Sequence, residues 1–86
     1  MDRKNDIRKE ILLQAYAVRP LAISAERIHR DAKKAGYDYQ LWEVKEELQF
    51  ITDNGLLVEV KDPLVTTPMF RIHAIGVTYY ENHYAE

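Results

Sequence analysis

Apolar residues recur at Ile7, Ile11, Ala15 and Val18, the three- and four-residue spacing of a single helix face, with Asn5 or Asp6 placed to cap its start. Pro20 ends this first helix near Val18, because a proline disfavours helical dihedrals in the residue before it. Leu21 to Ile23 is a short apolar link with room for one or two strand-type pairings. Ser24 then suits the N-cap of a second helix, with Glu26 in the first turn where the helix dipole favours an acid. The inner stripe of that helix reads Ile28, Ala32 and Ala35, and Gly36 closes it. Asp38 is placed to cap a third helix whose inner stripe is Leu41, Val44, Leu48 and Ile51, with Gly55 as its left-handed C-terminal stop. The period then falls to two. Leu56 to Val60 reads as a strand, "KDPLVTTPM" as a loop broken by Pro63 and Pro68, and Phe70 to Ala74 as a returning strand. Gly76 permits a change of direction into a last short helix carrying Tyr79 and Tyr80.

The predicted order is helix, short strand, helix, helix, strand, strand, helix: an α+β chain forming one domain over residues 1–86. A chain of this length buries about 60% of its unfolded surface, so core closure is a concern for every element. There is no cysteine, which excludes disulfides and thiolate metal sites and fits a reducing cytosol. The charged start "MDRKNDIRKE" leads into no apolar run of signal-peptide length, and no stretch approaches the roughly 20 apolar residues of a membrane span. The expectation is a soluble cytoplasmic protein.

Two motifs carry a resemblance. "VKEELQFITDNGLLVEV" is similar to the junction of recognition helix and wing in MarR-like and PadR-like transcriptional regulators, with Val44, Leu48, Ile51 and Gly55-Leu56-Leu57 in the matching places. "FRIHAIGVTYYE" resembles the end of the same module, where a wing strand enters a helix bearing an aromatic residue and an acid. His73 stands where those proteins more often have Thr or Ser as a cap; its ring nitrogen can still accept from a backbone N–H. The resemblance covers roughly residues 6 to 83 and implies a winged helix-turn-helix: helix, short strand, helix, helix, two-stranded wing, C-terminal helix. It implies DNA binding in transcription regulation, and a dimer.

The residue types argue against an enzyme. Glycines 36, 55 and 76 are too far apart for a nucleotide-binding loop, and Ser24 serves better as a cap than as a nucleophile. His29, His73 and His83 lack the close spacing of metal ligands, so no metal and no cofactor is expected. The carboxylates of residues 43 to 47 fall on a helix expected to solvate them, which disfavours a paired acid and base.

Charge is unevenly placed. In the second helix Arg27, Arg30, Lys33 and Lys34 outnumber Glu26 and Asp31, whereas in residues 38–54 Lys45 stands alone against Asp38, Glu43, Glu46, Glu47 and Asp53. For duplex DNA the implied contacts are Tyr39, Gln40, Trp42 and Lys45 on the third helix. Arg27, Arg30 and Lys34 would meet phosphate, and Lys61, Thr66, Thr67 and Arg71 would touch the DNA backbone from the wing. The acids oppose phosphate, so Arg3, Lys4, Arg8 and Lys9 are needed as further positive charge. The same helix supports a second reading, a protein-docking surface built from Tyr39, Trp42, Glu43, Glu46 and Phe50. In the C-terminal helix Tyr79 is expected to face inward, near Phe70 and Ile72, leaving Tyr80 and Tyr84 as a stripe for a second subunit, supported by Leu12 and Tyr16.

Overall fold

Asp2 caps the first helix, its carboxylate accepting from the Lys4 N–H at 2.9 Å, one turn earlier than Asn5 or Asp6 would have done. The computed structural model describes residues 2–85. Helix α1 runs Arg3–Val18 and buries Ile7, Ile11, Leu12 and Ala15 along one stripe before Pro20 stops it. Strand β1 is only Ile23–Ser24, and Ser24 also caps α2 (Ala25–Lys34), its Oγ accepting from the Arg27 N–H at 3.1 Å. Helix α2 buries Ala25, Ile28 and Ala32. Ala35, expected on the inner stripe, lies past the last turn and is exposed, because the chain already unwinds toward Gly36, whose φ of 100° only glycine adopts freely.

Helix α3 is Leu41–Asp53, with Val44, Glu47, Leu48 and Ile51 buried; Gly55 ends it at φ 82°. Its N-cap is Gln40, not Asp38: the Gln40 N–H donates to the Glu43 carboxylate at 2.9 Å, while Asp38 is exposed two residues upstream. Strands β2 (Leu57–Asp62) and β3 (Val65–Ile72) form a hairpin around Pro63 and Leu64, and the sheet order is β1-β3-β2, all antiparallel. The expected loop over "KDPLVTTPM" is therefore mostly strand. Pro68 lies beyond the last pairing of β1 with β3, where β3 is an edge and tolerates a residue without an N–H.

Register places Leu57 opposite Ile72 and Glu59 opposite Phe70, so Leu57, Phe70 and Ile72 face the helices. Helix α4 (Ala74–His83) starts at His73, whose Nδ1 accepts from the Ile75 N–H at 3.1 Å. Gly76 is not the turn expected of it. It sits inside α4 with ordinary dihedrals, and a Cβ there would meet the Leu56 carbonyl oxygen at 2.1 Å. The glycine is needed for close approach. The core joins residues of α1, α2, α3 and the sheet, from Ile7 and Ile11 through Ile28, Leu48 and Ile51 to Phe70 and Ile72. No helix among the described residues is long and apolar enough to cross a membrane.

The tyrosines of the last turns find partners within the chain. Tyr80 stacks on Tyr16 of α1 with ring centroids 4.4 Å apart, and the Tyr16 hydroxyl donates to Glu81 at 2.7 Å, which raises its pKa. Tyr84 lies edge-on to Tyr79 and Tyr80, with the Lys9 ammonium 5.7 Å from its ring centroid. Tyr79 stacks on His83 at 4.0 Å and is half-buried like the other two, so it is not singled out as the inward residue. Tyr80 and Tyr84 thus form no free stripe. The long first helix offers a ring and aliphatic stems within reach, and both tyrosines cover the chain's own core.

Candidate nucleic-acid interface

The outward side of α3 carries Trp42, Lys45, Glu46, Gln49, Phe50 and Asp53, as the positions opposite its buried stripe must. Trp42 is 65% exposed and Phe50 46%. Tyr39 is not among them. It lies ahead of the helix, 8% exposed, stacked on Tyr37 at 5.1 Å and beneath the Arg3 guanidinium, and burial raises its hydroxyl pKa. Its contribution is to the core, which removes it both as a base contact and as a docking anchor. Its ring joins the core cluster, flanked by Tyr37 and by Arg3 of α1.

The acids of α3 divide into two groups. Glu43 and Glu47 turn toward α1 and are held there. Arg3 grips Glu43 with two bonds, Nε to Oε2 at 2.8 Å and Nη2 to Oε1 at 3.0 Å, and reaches Asp38 at 3.4 Å. Arg8 meets Glu47 at 2.6 Å, and its guanidinium carbon lies 3.8 Å from the Phe50 ring centroid. Glu47 is only 4% exposed, so the expectation that residues 43 to 47 are all solvated fails for it: the helix turns that position toward α1, where an arginine compensates the loss of water. Glu43 is likewise half-buried and committed to Arg3, not displayed to a partner. The remaining acids face out. Asp53 accepts from the Gln49 amide at 2.8 Å, and the Glu46 side chain has no hydrogen bond or ion pair among the described residues.

The Arg3 guanidinium, and after it the Gln40 N–H, hold the Glu43 carboxyl down at about 2 from its ordinary 4.5. A depressed carboxyl contributes stability that is present above its unfolded pKa and lost as pH falls through the folded value, here from about 4.5 down to about 2. The pair is screened by water, so the direct readout is titration of the Glu43 side chain by NMR. Its midpoint is expected near 2 and should move up toward 4.5 in Arg3→Gln. An unmoved midpoint would contradict the pairing.

The cations on α2 are exposed at Arg27, Arg30, Lys33 and Lys34. Arg27 and Arg30 share Asp31, at 3.7 and 3.4 Å, while Lys33 and Lys34 complement the C-terminal end of the helix dipole. Lys45 lies on the neighbouring helix as expected and reaches Glu26 at 3.5 Å, whereas Gln40 stands just ahead of it as the exposed N-cap. That pair stands at the edge of a cleft of about 210 Å³ between the start of α2, α3 and β3, floored by Leu48 and Phe70. Lys61, Thr66, Thr67 and Arg71 are exposed on the hairpin, beyond the cleft. Arg3 and Arg8, expected to add free positive charge, are consumed by the acids of α3.

The structure adds Gln49, which the residue pattern left unnoticed. It stands seven positions after Trp42 and four after Lys45, the spacing that marks it as sharing their face. Of the histidines, His73 caps α4, and the His83 ring lies 2.9 Å from the Tyr79 carbonyl. No protein-family model, curated protein or solved structure matches the chain.

Proposed function

We propose that the chain is a winged helix-turn-helix domain that binds duplex DNA as a small transcriptional regulator or accessory factor. In this reading α2 and α3 are the helix-turn-helix, β2–β3 is the wing, and α3 lies in the major groove. The observation that carries it is the sorting of charge on α3. Glu43 and Glu47 are drawn back against α1 by Arg3 and Arg8, so the outward face presents Gln40, Trp42, Lys45, Glu46 and Gln49 beside the cations of α2. Repulsion of phosphate is thereby much smaller than five acids in residues 38–54 would produce.

Arg27, Arg30 and Lys34 serve phosphate, as do Lys61, Thr66, Thr67 and Arg71 on the wing. Gln40, Lys45 and Gln49 point at base edges. A salt titration of binding to mixed-sequence duplex, followed by fluorescence anisotropy, tests this. The wild type should lose affinity steeply with salt, and Arg27→Gln/Arg30→Gln/Lys34→Gln should flatten the log–log slope by about 0.9 for each phosphate that is no longer neutralised. No binding at low salt would overturn the proposal.

A second reading is favoured by one observation, the exposure of Trp42 and Phe50 eight residues apart on α3. Aromatic side chains displayed in this way anchor protein interfaces, and Glu46 between them would suit a basic partner.

A further inference from the structure

We infer that Glu46 sets the base preference of α3 by accepting a hydrogen bond from the N4 amino group of a cytosine. The inference rests on the DNA-binding reading. The fold compensates each neighbouring acid on this helix: Glu43 by Arg3, Glu47 by Arg8, and Asp53 by the amide of Gln49. Glu46 alone among them is left without a partner in the described residues, exposed one turn beyond Trp42 and beside Lys45.

An ionised carboxylate only accepts. In a groove walled by phosphates it is repelled unless a donor meets it. The major-groove edge offers two amino donors, adenine N6 and cytosine N4. Adenine sets its amino group next to N7, an acceptor that repels the second carboxylate oxygen, whereas cytosine presents the amino group with no acceptor of its own beside it. Glu46 therefore favours C·G at the position it reaches and disfavours the other three pairs. A glutamine there, donating and accepting, fits adenine instead.

The test is selection of binding sites from a randomised duplex library with the wild type, Glu46→Gln and Glu81→Gln, each checked for folding by circular dichroism. The wild type should enrich a C·G pair at one position by about tenfold, and Glu46→Gln should transfer that preference to A·T at the same position. Glu81→Gln, on α4 and away from this face, should leave the selected site unchanged. If Glu46→Gln selects the wild-type site, the inference is overturned while DNA binding stands. If the wild type retains no duplex at all, DNA binding itself fails and the inference falls with it.

Discussion

Replacing Arg8 with methionine is expected to lower stability by about 3–5 kcal/mol, a large share of what a domain of this size possesses. The cause is on the other helix. Glu47 is buried against α1 and its charge is met at 2.6 Å by Arg8, so removal of the guanidinium leaves a carboxylate with neither water nor counter-charge. Methionine retains much of the aliphatic stem that packs there, which keeps the loss electrostatic in origin. Arg8→Met/Glu47→Gln should recover most of the deficit, because a neutral amide does not need a counter-ion. Urea unfolding of both variants measures the difference. If the single and the double variant are equally unstable, then Arg8 acts through its packing on Phe50, 3.8 Å from the guanidinium carbon, and not through Glu47.

Gly76→Ala should destabilise the domain by about 3 kcal/mol, at the upper end of the usual cost of overpacking. The sign is informative. In an exposed helix the same change stabilises by about 1 kcal/mol, because alanine loses less backbone freedom than glycine. At this position the added carbon would lie 2.1 Å from the Leu56 carbonyl oxygen and 2.8 Å from Ile72 Cγ1. That carbonyl also accepts from the His73 N–H at 3.0 Å, so displacing it disturbs the cap that starts α4. Thermal unfolding reads the outcome, and a raised midpoint would show that α4 can slide away from the end of α3.

Much of the architecture was legible because it follows from periodicity and from glycine. The stripe of Val44, Leu48 and Ile51 and the left-handed stops at Gly36 and Gly55 each depend on a few adjacent residues, and the structure agrees with them. Features that depend on residues distant in sequence were not legible. Glu47 looks like any surface glutamate until α1 brings Arg8 to it from 39 residues away. Tyr39 shares the composition of an exposed aromatic patch but is buried, stacked on Tyr37 and beneath Arg3 of the distant α1. Pro68 reads as loop because a strand interior rejects it, and only the short reach of β1 reveals that β3 is an edge at that point. The outward set on α3 was half-legible: Trp42, Glu46 and Phe50 followed from the helical wheel, but which acids remain free could not.

The asymmetry of the sheet has a mechanical consequence. β1 grips β3 only at Met69 and Phe70, so the hairpin is anchored at its root, while residues 60 to 68 project with support from one neighbouring strand alone. Such a cantilever is stiff where it joins the core and compliant at its end, where Leu64 is 92% exposed. Bending at the tip leaves the root registered on Ser24, which is at once the last residue of β1 and the cap of α2. The hairpin can therefore follow the contour of whatever it touches without tilting the helix pair beside it.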